Sequence, residues 1–213
     1  MDNILDKLGL YDFFGLLLPG MFFTGVLVII DFPLIISFTY PDSEVFNNIG
    51  FILVSYICGT IIQEIASYID EKVIKMRDSA IKEILSDEKL SKSERKKIKK
   101  LVKELSKEQD ESERCYDAFF KCKEYLEDNG KMKKADKLDA IFAMSRDFIV
   151  CNFILFFLVL LTITKYETYT VYYLLLFSLI ASIFIFSYRA ERYAKMRVRS
   201  IFRRYMLCKE GQT

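Results

Sequence analysis

Histidine is absent from the 213 residues of this chain, and so are the short motifs of common catalytic sites. Without an imidazole there is no histidine general base and no histidine ligand for zinc. No GxSxG, HExxH or glycine-rich phosphate loop occurs, and the five cysteines form no CxxC pair. The sequence therefore predicts neither a disulfide framework nor a metal site, no cofactor, and a protein that is not an enzyme.

Lysine and arginine are missing from two long stretches of the chain. None occurs between Lys7 and Lys72, and only Lys165 occurs between Arg146 and Arg189. These two gaps hold most of the aromatic and aliphatic residues, whereas the charged residues are concentrated between the gaps and in the tail. Soluble domains of this length do not usually separate apolar and charged residues into blocks. The layout predicts a membrane protein with a charged insert.

Four apolar segments approach the length of about 20 residues that a helix needs to cross the hydrocarbon core. They are about Leu10–Ile30, about Phe46–Ile69, Phe148–Thr164 and Thr170–Tyr188. The second segment either ends at Ile62 or continues, which would place Glu64 at the headgroups or in a wet cavity. The predicted fold is an all-α membrane protein with four transmembrane helices and a helical cytoplasmic insert between the second and third spans.

The distribution of lysine and arginine in the flanking segments predicts the orientation. The loop 31–45 carries acidic residues and no basic one, so it is expected outside, whereas the lysine-rich insert and the basic tail are expected in the cytoplasm. Both termini are then cytoplasmic, in the inner membrane of a bacterium. The expected organisation is a first transmembrane pair at 1–69, a cytoplasmic helical insert at 70–147, a second transmembrane pair at 148–188 and a basic cytoplasmic tail at 189–213.

The insert has the apolar periodicity and the capping signals of helices. Ser91 and Glu94 have the spacing of a capping box, and Gly130 is suited to end a helix. We expect one apolar stripe to continue from the second span to Ile84, and a last helix, about Lys131–Ser145, to continue into the third span. The stripes could pack on each other within one chain or on neighbouring subunits, and their narrow, continuous form favours subunits.

Polar and helix-breaking residues within the spans are the candidates for gating or pore lining. Pro19 removes a backbone hydrogen bond, so a kink is expected there, either for packing or as a hinge. Small residues of the second span permit close helix contact, and Asn152 could hydrogen-bond a neighbouring helix. Arg146 and Asp147 could pair with each other or with Glu64. The candidates are Asp12, Pro19, Gly20, Gly59, Gln63, Glu64 and Asn152.

Two basic segments could bind an anion. One is the lysine-rich helix after Ser91, and the other is the tail, which has seven basic residues from Arg189 to Arg204 and one acidic residue. The tail could lie on the anionic inner leaflet, dock on acidic faces of the insert, or attract a nucleotide or nucleic acid. The candidates for ligand or partner binding are Arg95, Lys96, Lys97, Lys99, Lys100, Lys103, Arg197, Arg199, Arg203 and Arg204.

Two sequence segments stand out beside this layout, YDFFGLLLPGMFF near the N-terminus and RYAKMRVRSIFRRYM near the C-terminus. With the four apolar segments and the charged insert, they resemble small four-span membrane effectors of bacterial antiphage defence systems, the Hailong-type channel effector being the nearest. In that system a four-span protein resembling an ion channel is thought to be held shut by a nucleic-acid product of a partner nucleotidyltransferase.

The resemblance implies a homo-oligomeric, gated ion channel or pore that depolarises the membrane during abortive infection. It also implies control by a nucleotide or oligonucleotide ligand, or by a cytosolic nucleotidyltransferase partner. The alternative is a non-conducting membrane anchor or sensor whose cytoplasmic helices recruit a cytosolic enzyme.

Overall fold

The computed structural model describes residues 12–30, 44–87, 89–108, 110–165 and 170–210. Every regular element in these ranges is helical, which confirms the all-helical class. Three helices are long and apolar enough to cross a membrane, Asn48–Ile74, Lys133–Thr164 and Thr170–Glu210, and Gly15–Ile29 is a shorter apolar helix. Residues 1–11, where the first expected span and the N-terminus begin, lie outside the described residues.

The described residues form seven α-helices and three short helical turns. In chain order they are a π-helical turn Asp12–Leu17, α1 Leu18–Ile29, α2 Glu44–Ile69, a second π-helical turn Asp70–Ile74, α3 Met76–Lys82, a 3₁₀ turn Ile84–Ser86, α4 Lys92–Leu105, α5 Glu111–Asp128, α6 Lys133–Lys165 and α7 Thr170–Glu210.

The chain divides into two compact units. The first, Met1–Glu71 with Ala140–Ala190, is called the apolar unit, and the second, Lys72–Asp139 with Glu191–Thr213, is called the charged unit. Helices α6 and α7 each contribute residues to both units. The insert and the tail, which are far apart in sequence, therefore belong to one compact unit.

The apolar unit has a core to which α1, α2, α6 and α7 all contribute. Its buried residues are Val26, Leu27, Ile30, Ile62, Cys151, Leu155, Val159 and Leu179. Aliphatic side chains dominate because burying them in contact with one another gains dispersion energy in a close-packed interior. This core lies within one copy of the chain.

The contact between α1 and α2 is unusually close because glycines lie on both sides of it. A Cβ atom added to Gly20 would overlap the carbonyl of Ser55, and one added to Gly59 would overlap the carbonyl of Leu16. Beside this contact, Thr24 Oγ1 lies 2.7 Å from Ser55 Oγ. Small residues at four-residue spacing on both helices thus allow backbone contact and a hydroxyl–hydroxyl hydrogen bond, as in other membrane helix pairs.

The interruption expected at Pro19 takes the form of a change in helix type. The turn Asp12–Leu17 is π-helical, α-helical geometry begins at Leu18, and Pro19 lies in the first turn of α1. Proline is tolerated in a first helical turn, where its missing N–H removes no required hydrogen bond. The wider π turn before it accommodates the ring without a longer break in the helix.

The connection after α2 corrects one expectation. Instead of a continuous helix with one apolar stripe, α2 ends at Ile69, a π-helical turn follows, and Lys75 has a left-handed backbone with φ 54°. Val73, expected in the stripe, is 73% exposed. The periodicity of apolar residues continues through the break, but a lysine with positive φ cannot continue a right-handed helix.

The local capping signals are confirmed. Glu94 N donates to Ser91 Oγ at 3.1 Å, and Ser91 N donates to Glu94 Oε2 at 3.2 Å, which completes the capping box of α4. Gly130 has φ 63° at the end of α5. There Lys131 N donates to Leu126 O at 2.8 Å, which satisfies a carbonyl at the helix end. The helix expected to start near Lys131 and continue into the third span is α6.

The charged unit has an apolar core of its own, which the tail completes. Phe119 of α5 and Phe202 of α7 are buried with ring centroids 6.1 Å apart, and Tyr125 and Tyr205 lie 5.1 Å apart. Other fully buried residues are Ile81, Ile84, Ile98, Leu126, Val198 and Ile201. The apolar stripes therefore pack on one another within one chain, which is one of the two arrangements expected from the sequence. The apolar face of the tail is covered by the insert and is not free to lie on a lipid surface.

Candidate functional site

The charged unit contains a pocket of about 580 Å³ beside the first turns of α6 and the last turns of α7. Its lining residues are Lys131, Lys134, Leu138, Met196, Arg199, Ser200, Arg203, Arg204, Leu207 and Cys208. Five of them are basic and none is acidic, and the others are mostly apolar. We call this cavity the basic pocket.

The pocket residues of α7 share one face of the helix. Arg199 and Arg203 are four residues apart, as are Arg204 and Cys208, so their side chains project to the same side. The opposite face carries Phe202 and its buried neighbours, which fix the rotation of the helix. Packing of the tail on the core of the charged unit thus turns its arginines toward the pocket.

Two of the five pocket cations already have carboxylate partners. Arg199 Nε lies 2.9 Å from Asp87 Oδ2, and Arg203 Nη2 lies 2.8 Å from Glu94 Oε1. The hydrogen bond from Arg203 holds the pKa of Glu94 below its usual value. These ion pairs partly neutralise the two guanidinium groups.

The other three pocket cations are Lys131, Lys134 and Arg204. Within the described ranges no ion pair compensates these three charges. Uncompensated cations close together raise the local positive potential, which favours a ligand with more than one negative charge. The pocket is therefore suited to bind an anion.

The size and lining of the pocket indicate the class of ligand. Its volume of about 580 Å³ falls in the range of roughly 300–1,000 Å³ typical of small-molecule sites. Leu138, Met196 and Leu207 supply an apolar wall beside the cations. A molecule with phosphates and a flat apolar group, such as a nucleotide, satisfies both kinds of surface. The lining holds no carboxylate for acid–base work, so the arrangement favours binding over catalysis.

The tail arginines predicted to bind an anion separate into two groups. Arg199, Arg203 and Arg204 line the basic pocket. Arg197 is buried, its Nε lies 3.2 Å from Asp139 Oδ1, and its guanidinium lies 5.9 Å from the Phe119 ring centroid. Arg197 therefore stabilises the interior of the charged unit and is not available to a ligand in the pocket.

The basic residues of α4 do not line the basic pocket. Several have partners within the unit: Lys97 pairs with Glu210, Lys99 with Glu111 and Lys100 with Glu104, and Arg95 donates to the carbonyl of Asp87. Lys96 and Lys103 are exposed. The charges are distributed around the helix, because consecutive residues of a helix point in different directions.

Lys131 and Lys134 were not among the predicted ligand-binding residues. Lys131 directly follows Gly130 and precedes α6, and Lys134 lies in the first turn of that helix, so both are at the start of the same element. Acidic residues nearby, including Asp136, made this segment resemble an ordinary solvated helix surface. Their proximity to the tail depends on packing between segments separated by more than sixty residues in sequence.

In the apolar unit, the predicted gating residues have several distinct environments. Pro19, Gly20 and Gly59 are buried, and the two glycines lie at the contact of α1 and α2. Asn152 Nδ2 donates to Phe148 O at 2.6 Å and to Ser182 Oγ at 3.1 Å, so this amide connects α6 to α7.

The predicted ion pair at the start of the third span forms between neighbours in sequence. Arg146 Nη2 lies 3.0 Å from Asp147 Oδ1, and both side chains are buried. Arg146 and Asp147 therefore pair with each other, and neither pairs with Glu64 among the described residues. Removing either partner would leave a buried charge without compensation, which is strongly destabilising.

The exposed face of α2 carries polar groups at four-residue spacing. Tyr56, Thr60, Glu64 and Tyr68 are all exposed in the described chain, and we call them the polar α2 face. Gln63 is partly buried next to this face. The side chain of Asp12, the remaining candidate, lies outside the described set.

The basic pocket and the polar α2 face are thus the two chemically distinctive surfaces. Among the described residues no group of histidine, cysteine, aspartate or glutamate side chains is arranged to hold a metal ion. The chain matches no family model, no curated protein and no solved structure.

Proposed function

We propose that the protein is a homo-oligomeric membrane effector, a gated ion channel whose opening depolarises the inner membrane of a bacterium in antiphage defence. A nucleotide or oligonucleotide in the basic pocket controls the gate. The observation that carries the proposal is the basic pocket, since it combines three uncompensated cations with an apolar wall. No catalytic role is proposed.

The proposed topology has four spans and two cytoplasmic termini. The helical segments from Asp12 to Ile29 and α2 form the first pair, and the apolar parts of α6 and α7 form the second. The positive-inside rule supports this orientation, because all of the described lysines and arginines except Lys165 lie in the insert or the tail. The charged unit would then face the cytoplasm, where nucleotides are available.

Helix continuity supports control of the spans by the pocket. The pocket residues of α6 and α7 belong to the same unbroken helices as the apolar residues, Lys133–Lys165 and Thr170–Glu210. A ligand that draws Lys134 and Arg204 closer together changes the separation of these helices at the pocket. Because α-helices are stiff along their axes, a change in helix separation at the pocket would also move the apolar parts of the same helices. A pair of helices with two such separations is an element that a ligand can control.

A binding measurement with matched charge reversals tests the proposal. Fluorescent oligodeoxynucleotide and ATP are titrated into the purified full chain and into Lys134→Glu/Arg204→Glu, with Lys96→Glu/Lys103→Glu as the control for net charge. At about 1.5 kcal/mol for each charge-assisted hydrogen bond, losing two contacts lowers the affinity roughly a hundredfold. The control is expected to bind nearly as the parent does, and equal losses in both variants would contradict the pocket assignment.

Ion flux separates the channel from the alternative function. Reconstituted liposomes loaded with K⁺ are assayed with and without the same probes, and a channel is expected to show flux that the pocket ligand changes. A non-conducting anchor or sensor that recruits a cytosolic enzyme would bind the ligand without flux. Because an apolar core lies among α1, α2, α6 and α7, a single copy is not expected to contain an ion path. Conduction would therefore require an oligomer.

A further inference from the structure

The polar α2 face is exposed where a membrane helix normally presents apolar side chains. Tyr56 is 43% and Tyr68 is 65% exposed, and Thr60 and Glu64 between them are exposed as well. Steps of four residues place these side chains along one side of the helix. Among the described residues no ion pair neutralises Glu64.

Lipid is an unfavourable environment for this face. A hydrocarbon crossing of about 20 residues that begins at Ile49 extends to Tyr68 and includes Glu64. An ionised carboxylate at the centre of a membrane helix costs about 3 kcal/mol on insertion scales, and intramembrane acids therefore face water or protein. Glu64 lies in the half of the span that leads to the charged residues from Asp70 onward. There the free-energy cost of a carboxylate in lipid is smaller, but water or protein is still the preferred environment.

Rotation of α2 cannot hide the carboxylate. The opposite side of the helix carries Ser55, Gly59 and Ala66, all buried, and the first two contact α1. Turning Glu64 inward would replace these small residues with bulky ones at a backbone contact. The small residues therefore hold the polar α2 face outward.

The exposed faces of the other long helices differ. On α6 they carry Phe153, Phe157 and Leu161, and on α7 they carry Leu174, Phe177, Phe184 and Ile185, all exposed. Such faces are suited to lipid. Exposed tyrosines occur on α7 as well as on α2, and α2 also exposes apolar side chains such as Leu53 and Ile57. Among the described side chains of the spans, what distinguishes α2 is therefore the exposed charge of Glu64.

We propose that the α2 helices of several copies of this chain surround a water-filled path, with the polar α2 face lining it and Glu64 forming a ring of carboxylates that selects cations. This inference rests on the proposed channel function. The α2 helices of neighbouring copies bring no lysine or arginine to this depth, since none occurs between Lys7 and Lys72, and Arg146 at the start of the third span is paired with Asp147. The Glu64 carboxylates of neighbouring copies repel one another. When copies of the chain assemble, we therefore expect water to lie between these carboxylates.

Selectivity measurements test the ring. Liposomes containing the full chain are placed under a KCl gradient, and the reversal potential is compared for the parent, Glu64→Gln and Glu64→Lys. The parent is expected to prefer K⁺, Glu64→Gln to lose most of this preference and Glu64→Lys to prefer Cl⁻. Glu71→Gln, which removes an exposed carboxylate beyond the end of α2, is the matched control and is expected to keep the preference. Conduction with the same reversal potential in parent and Glu64→Gln overturns the proposal.

Cross-linking tests the same surface without requiring conduction. In a background with Cys58→Ser and Cys208→Ser, Thr60→Cys is expected to form disulfide-linked dimers of this chain in membranes, whereas Phe177→Cys on α7 is not. Thr60→Cys dimers without any flux would support the α2 contact and refute the channel. Failure of Thr60→Cys to cross-link in a variant that elutes as the parent does overturns the contact between copies.

Discussion

Replacing Gly20 with alanine should weaken the helix pair α1–α2, although alanine is the better helix former. The added Cβ would overlap the carbonyl of Ser55, a backbone atom that cannot rotate away. Relieving the overlap forces the helices apart, which costs about 1–3 kcal/mol for overpacking. Separation also strains the hydrogen bond between Thr24 and Ser55, worth about 0.6 kcal/mol in membrane proteins.

Gly25 provides a matched control on the same helix. A Cβ added there meets no atom within 4 Å, so Gly25→Ala has only the favourable effect on the helix backbone, about 0.8–1 kcal/mol. The same gain applies at Gly20, so the difference between the two variants isolates the contact and is expected to be about 1.6–3.6 kcal/mol after the hydrogen bond is included. Gly59→Ala and Gly50→Ala form an equivalent pair on α2, since Gly50 also has open space.

The assay is unfolding of the purified protein in mixed micelles with increasing sodium dodecyl sulfate, followed by circular dichroism and tyrosine fluorescence. Gly20→Ala and Gly59→Ala should unfold at lower detergent fraction than Gly25→Ala and Gly50→Ala. Equal midpoints for Gly20→Ala and Gly25→Ala would refute the close backbone contact, because no other difference between the two glycines explains why one should tolerate a methyl group less.

Two further predictions concern the charged unit. Burial raises the pKa of Cys115 to about 11 and that of Cys122 to about 12, so at pH 8 both should react with Ellman's reagent far more slowly than the partly exposed Cys208; similar rates would contradict the packing of α5. The pKa of Glu94 is lowered by its hydrogen bond from Arg203, so its stabilising effect is present above the unfolded value of about 4.3 and is lost as the pH falls through the lower folded value. The difference in thermal midpoint between the parent and Glu94→Gln should therefore be largest near neutral pH and shrink in acid, and a difference that does not change with pH would refute the ion pair.

Local signals in the sequence were sufficient for several elements. Ser91 with Glu94, and Gly130, specify a helix start and a helix end through contacts within a few residues, so they could be predicted without knowing the rest of the fold. The continuous helix α6 could also be predicted, since no proline or glycine interrupts the chain between Lys133 and Lys165.

Long-range contacts account for what the sequence did not reveal. Lys75 is a residue type that rarely adopts positive φ, so nothing local marks it as a break. The partners of the tail, Asp87, Glu94 and Asp139, are ordinary surface residues by sequence and become significant only because the tail packs beside them. The basic pocket could be predicted in part, through Arg199, Arg203 and Arg204, while its lysines depended on that same packing.

The hydroxyl pair between α1 and α2 has a consequence for the assembly of the protein during synthesis. Thr24 Oγ1 donates to Gly20 O at 2.9 Å within its own helix, and it lies 2.7 Å from Ser55 Oγ, a contact in which either hydroxyl can donate. Helix α1 emerges from the ribosome first, and this internal bond lets it wait in the bilayer without an unsatisfied polar hydrogen. When α2 follows, the Ser55 hydroxyl comes within hydrogen-bond distance of Thr24 and joins the two helices. The hydroxyl pair can therefore form after each helix has entered the bilayer, in the order in which the helices are translated.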